Sequence, residues 1–228
     1  MEQENTFTVN KLNVETTLPI FWMDLLPISD QLLLARQAIN ELRISHPEPI
    51  QSNVKSVYAS PWNSHRLNNK LVPICHSVTE YTRQAVRQHL NNDLLKLNWD
   101  LSVTDCWGAI YEENDHTIPH RHFPCDFAAV VYLEAEEGCA PIVFDNKLVV
   151  HPKPNMLIVF PGILIHSVPK NTGKRRVVLV MNMNKFPVIV GKVVPTPYEG
   201  LEGETKADKT EKAEVDLNSN AAFEEAAE

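Results

Sequence analysis

Apolar residues recur at helical spacing through the first half of the chain and at alternate positions, in short runs, through the second half. Ser29-Asp30 is suited to cap a helix, and Leu32, Ala35, Ile39 and Leu42 follow three to four residues apart, so one face is apolar until Pro47 and Pro49 end it. A second helix is expected after Asn68-Asn69. Its buried stripe is Leu71, Ile74, Val78, Tyr81, Ala85 and Leu90, with Pro73 tolerated in the first turn. The first twenty residues read as an extended lead-in. Gln51 to Asn69 reads as loop, with one short strand at Val54–Tyr58. From Leu101 the pattern changes to β-branched and aromatic runs separated by Pro, Gly, Asn or Asp. Strands are expected at Cys106–Tyr111, Ala128–Leu133, Ile142–Phe144, Leu148–Val150, Met156–Phe160, Arg176–Met181 and Val188–Val194. With no helix between them, these imply an α+β, mainly β fold: an antiparallel sandwich or small barrel with the N-terminal helices on one outer face. The expected organisation is 1–100 as the helical and loop part of one domain, 101–197 as its β core, and 198–228 as a disordered acidic tail.

Charge narrows the partners. The net charge of −8 is concentrated after Tyr198, where ten acidic residues stand against three basic ones. The rest of the chain is close to neutral, which argues against a broad nucleic-acid-binding face. Cys75, Cys106, Cys125 and Cys139 are widely spaced with no CxxC pair, and no secretory signal pattern opens the sequence. The expectation is reduced thiols and a cytoplasmic protein. The longest apolar run, Met156 to Ile165, is interrupted by Pro161-Gly162 and is about half of the roughly twenty residues a membrane span needs.

The candidate chemistry lies in His120-Arg121-His122, the later Phe160-Pro161-Gly162 with His166, and Arg175-Arg176. Histidines at i and i+2 of a strand face the same way, and a third imidazole from a later strand closes one face of a metal ion. Neutral imidazole suits Fe, Zn, Cu and Ni alike. Strand alternation sends Arg175 and Arg176 to opposite faces. Arg176 is the better placed to hold an acidic co-substrate, by its spacing from His166 and its position six residues before Asn182. Trp107 and Tyr111 flank a strand entering this region, Cys125 lies close to it, and the loop carrying Trp62, His65 and Arg66 is long enough to cover it. His116 and His151 read as surface residues.

The order His-x-His, Tyr132-Leu133, Phe144, Phe160-Pro161-Gly162, His166, Arg176 and Asn182 resembles the 2-oxoglutarate- and Fe(II)-dependent oxygenases. These are double-stranded β-helix proteins related to prolyl hydroxylases, with many uncharacterised members in bacteria and phages. The resemblance spans about Asp105 to Asn184, roughly a third of the chain. It implies a jelly-roll or cupin-like barrel and His120, His122 and His166 as the catalytic metal site. Arg176 would grip the far carboxylate of 2-oxoglutarate, with Tyr132 and Asn182 completing the co-substrate site. It further implies Fe(II), 2-oxoglutarate and O₂ as the reacting set, succinate as co-product, and a primary substrate that is a protein side chain or a small metabolite. One position departs from the pattern: most of the superfamily has His-x-Asp or His-x-Glu where this chain has His122. Three outcomes follow: His122 binds as a third nitrogen, Asp126 supplies an oxygen instead, or His122 faces substrate and leaves two histidines. Two rival classes also fit the spacing. One is a cupin-like metal protein, an isomerase or a dioxygenase that does not use 2-oxoglutarate, which would be indifferent to Arg176. The other is a barrel without chemistry, which would hold no metal.

Overall fold

The computed structural model describes residues 16–89 and 99–188. Eleven strands and three helices follow one another in it. The chain begins with β1 (Phe21–Asp24), α1 (Ser29–Ser45), β2 (Val54–Lys55), β3 (Tyr58–Ala59), α2 (Ser64–Leu67) and α3 (Val72–His89). It continues through β4 (Trp99–Tyr111), β5 (His116–His120), β6 (Phe127–Ala135), β7 (Ile142–Phe144), β8 (Leu148–Val150), β9 (Met156–Pro161), β10 (His166–Val168) and β11 (Arg176–Pro187). Every named pairing is antiparallel. The strands form a six-stranded sheet, β1-β9-β6-β11-β4-β3, and a five-stranded sheet, β2-β5-β10-β7-β8.

Strand alternation divides the core in two. On β11, Val177, Leu179, Met181 and Met183 face the helices, where they pack with Leu32, Ile39 and Leu42 of α1 and Ile74 and Val78 of α3. The intervening Val178 and Val180 face the second sheet and meet Tyr111, Tyr132, Phe144 and Phe160. β4, β6 and β9 divide their residues the same way, so the larger sheet is buried on both sides. Contact between α1 and β4 is close enough to require glycine. A Cβ on Gly108 would lie 2.2 Å from Cδ1 of Ile39. The helices therefore brace one face of the large sheet, leaving its other face and the small sheet to form the cavity.

Most predicted elements stand where the periodicity puts them. Residues 21–24, for which the periodicity suggests no element, pair with β9 as an edge strand, and residues 1–15 of the expected lead-in lie outside the described residues. The single strand expected at Val54–Tyr58 is instead two short ones in different sheets. β5 and β10, which carry two of the histidines, are short and polar, and alternation of apolar residues does not reveal them. β4, β6 and β11 run further than expected. Residues 189–194 of the predicted last strand, Leu90 of the second helical stripe and the tail at 198–228 lie outside the described residues. Among the described residues no helix is long and apolar enough to cross a membrane.

Candidate metal and anion site

Three imidazoles meet at the mouth between the sheets. The metal-binding nitrogens of His120, His122 and His166 lie within 4.8 Å of one another, and Nε2 of His122 is 3.3 Å from Nε2 of His166. That is close enough to share one ion at the ~2.1 Å bond lengths of imidazole ligands. The backbone explains the convergence. His166 is the cross-strand partner of His120 in the small sheet. His122 lies just beyond the end of β5 rather than on the strand, and two backbone bonds hold it. Its N–H donates to the Gly162 carbonyl at 2.7 Å, and its carbonyl accepts from Cys125 N–H at 2.9 Å. Gly162 makes this possible, since a Cβ there would stand 2.1 Å from the Cys125 carbonyl oxygen. The Pro161-Gly162 turn thus positions His122 as well as His166.

Protonation favours ligation. The His120 and His166 Nδ1 atoms stand 3.0 and 3.2 Å from the carbonyls of Ile118 and Leu164. Donation of the Nδ1 protons to those carbonyls leaves both Nε2 lone pairs free. Burial, reinforced by the neighbouring His120, holds His122 down to about 4. Burial, together with His120 and His122, holds His166 down to about 3. Burial lowers His120 as well. All three rings are therefore neutral near pH 7, the form a metal requires.

Arg176 opens β11 and is buried against the rings of Tyr111 and Tyr132. Its side chain is 1% exposed, its guanidinium carbon lies 4.3 Å from the centre of the Tyr111 ring and 5.4 Å from that of Tyr132, and no carboxylate pairs with it among the described residues. Its Nε and Nη1 have no acceptor, and the fully buried Tyr132 hydroxyl has no partner. Burial raises the Tyr132 phenol, which stays a neutral O–H donor. Arg175 takes the other face, as alternation requires, and pairs with Glu134 at the surface.

The predicted residues separate into two groups. His120, His122 and His166 come together, and so do Arg176 and Tyr132. Asp126 does not join the histidines. Its carboxylate accepts from the Lys185 N–H at 2.7 Å and pairs with the Lys185 ammonium. Asn182 lies at the histidine end of β11. It lines a cavity with His120 and His122 and donates from Nδ2 to Asp105 at 3.0 Å, whereas Arg176 lies six residues away along β11. Trp107 and Trp62 sit ring to ring at 4.6 Å beside that cavity, and Cys125 lines it. The residue missed from sequence is Asp105. Its signal is its parity with Trp107 on an inward-facing strand, and that can be read only once the register is known.

No family model and no curated protein matches the chain. Solved structures do match. A Pseudomonas putida prolyl-4-hydroxylase is 18% identical, aligning over 74% of this chain and 93% of its own with a TM-score of 0.52. A prolyl hydroxylase from Trichoplax adhaerens, solved with a peptide fragment of hypoxia-inducible factor, is 14% identical over 72% of this chain and 83% of its own, with a TM-score of 0.51. The fold is that of the 2-oxoglutarate oxygenases. It extends to a non-heme alpha-ketoglutarate-dependent epimerase of nogalamycin biosynthesis, 12% identical over 82% of this chain and 88% of its own, with a TM-score of 0.55. At these identities the likeness is one of fold, and the chemistry has to be argued from the site.

Proposed function

We propose that this protein is an oxygenase that uses Fe(II), O₂ and 2-oxoglutarate, with His120, His122 and His166 as metal ligands and Arg176 as the anchor of the co-substrate. The observation that carries this reading is the buried, unpaired guanidinium of Arg176. A buried charge without a partner is strongly destabilising, so it marks a place where an anion completes the structure. The orphan donors around it, Arg176 Nε and Nη1 and the Tyr132 hydroxyl, are donors that an anion's oxygens would satisfy. A dicarboxylate held by Arg176 at one end and by a metal on the histidines at the other is the kind of co-substrate that 2-oxoglutarate represents.

Bound Fe(II) and 2-oxoglutarate supply oxidation of a substrate coupled to loss of CO₂, with succinate as co-product. The chain's own residues do the rest. Arg176 fixes the far carboxylate, and its planar fork sets the direction in which the keto acid points. The Tyr132 hydroxyl donates a further hydrogen bond. Phe144 and Phe160, which pack against the His166 ring at 6.0 and 4.7 Å between centroids, keep water from the inner side of the site. The carbonyls of Ile118 and Leu164 hold His120 and His166 in the ligating tautomer.

Anaerobic Fe(II) titration with and without 2-oxoglutarate tests the reading. The expected outcome is a weak visible charge-transfer band that needs both additions, vanishes in His166→Ala, and requires at least tenfold more 2-oxoglutarate in Arg176→Ala. Metal binding with no effect of 2-oxoglutarate would overturn it in favour of a three-histidine metal protein of the cupin kind, the alternative favoured by His122 standing where the superfamily has a carboxylate. The absence of any metal binding would point to a barrel without chemistry.

A further inference from the structure

Outside the three histidines a cavity of about 280 Å³ opens between the β2 segment and the loop after β5. Three aromatic rings and one carboxylate shape it. Trp62 and Phe123 stand at the mouth, 42% and 69% exposed, and Trp107 lies buried behind them at 3%. The Trp62 backbone carbonyl accepts from the Cys106 N–H at 2.7 Å, which anchors its loop on β4, and the Trp62 ring lies 4.6 Å from that of Trp107. Trp107 in turn lies 5.9 Å from the His122 ring, so the aromatic wall leads directly to the metal face.

The carboxylate is Asp105. It accepts from Asn182 Nδ2 at 3.0 Å and from the Thr104 hydroxyl at 3.2 Å, both neutral donors. Among the described residues no Lys, Arg or His makes an ion pair with it, although Arg121 lines the same cavity. Among the described residues it is the only acidic one lining this cavity. A half-buried anion beside exposed aromatic faces is complementary to an organic cation: the carboxylate supplies charge, and the ring faces supply a negative quadrupole.

We propose that this cavity is the primary-substrate subsite and that it takes a group bearing a protonated amine, held by Asp105 and the faces of Trp62 and Phe123 beside the histidine site. The inference rests on the oxygenase reading for its chemistry but on separate residues for its binding. An alkylammonium is small enough for the cavity, whether it belongs to a free amine or to the end of a basic side chain. A carboxylate or phosphate at the same place would meet Asp105 as a like charge.

The test uses the full chain loaded with Zn(II) in place of iron, so that no turnover is needed. Tryptophan fluorescence, to which Trp62 and Trp107 contribute with Trp22 and Trp99, is followed while n-butylammonium, butan-1-ol and butyrate are added at constant ionic strength, and the Trp62→Leu variant identifies the signal from the cavity. The ammonium is expected to bind about tenfold more tightly than the alcohol, a difference of about 1.4 kcal/mol, with butyrate the weakest. Asp105→Asn, which preserves the side chain's shape, is expected to remove most of that preference, and Trp62→Leu to weaken ammonium binding while metal content stays the same. Equal binding of amine and alcohol, a preference for butyrate, or an Asp105→Asn variant that keeps its preference would overturn the proposal. A variant that loses zinc but keeps amine selectivity would overturn it too, assigning Asp105 to the histidines through Asn182. Failure here would leave the effect of Arg176→Ala on 2-oxoglutarate untouched, so the two readings fail separately.

Discussion

At the scale of single residues, the charge states in the cavity make the ligand-free protein a compromise. Arg176 is buried with unsatisfied donors, which costs stability that only an anion restores. Replacing it by Met, similar in length and uncharged, should stabilise the ligand-free fold by about 1–3 kcal/mol and abolish the response to 2-oxoglutarate. Thermal melts of both proteins with and without the keto acid check this; a lower melting temperature for Arg176→Met without ligand would mean that the contacts with Tyr111 and Tyr132 outweigh the burial of charge. The histidines make a second prediction. His122 and His166 titrate near 4 and 3 in the fold, against 6.5 in an unfolded chain. Below pH 6.5 the unfolded chain takes up protons that the fold refuses. The metal-free protein should therefore be fully stable above that value and lose stability as pH falls towards 4, by up to about 1.4 kcal/mol per pH unit for each histidine. Denaturant unfolding of metal-free protein between pH 7.5 and 5 measures the slope, and His166→Phe should flatten it.

At the scale of elements, two glycines fix how closely segments approach. Gly108 lets α1 lie against β4, and Gly108→Ala should destabilise by about 1–3 kcal/mol through overpacking against Ile39. Its effect on metal affinity should be small, because Ile39 belongs to the helix-facing core. Gly162→Ala should do the reverse. A Cβ there meets the backbone of Cys125, pushing away the loop that carries His122, so metal affinity measured by competition with a chelator should fall tenfold or more. The helices and the long strands were legible in the sequence because burial on a fixed face imposes a period, as with Leu32, Ile39 and Leu42 or the alternation along β11. The order of histidines, Arg176 and Tyr132 was legible too. The partners of these groups were not, since they depend on register. The sequence did not show that Asn182 donates to Asp105, and Asp126 was an alternative ligand but pairs with Lys185. Each assignment turned on which residue stands opposite which, and that is set by the register of β11 against β4 and β6.

At the scale of the whole molecule, the two halves of the core have different tasks. The helix-backed half is continuous and apolar, whereas the inner half ends in a polar mouth of short strands. Metal and co-substrate should therefore act as structural ligands of the inner half. Each one bound at a hundred times its dissociation constant should add about 2.7 kcal/mol to the stability, visible as successive rises in melting temperature on adding Zn(II) and then 2-oxoglutarate. No second rise in Arg176→Ala would agree with its role as anchor, and an undiminished one would contradict it.

The pairing of His120 with His166 across β5 and β10 also bears on how such a chain can change over generations. Along a strand, adding or removing a single amino acid between Thr117 and His120 would turn the first imidazole to the opposite face, while its neighbours kept their composition. Point replacements around the mouth leave that frame intact and adjust only what enters. Length changes are tolerable in the loops on either side of the small sheet and ruinous within it. Diversification of this protein would then proceed by exchange of residues at the rim and by loops growing outward, with the number of residues from Thr117 to His120 held fixed.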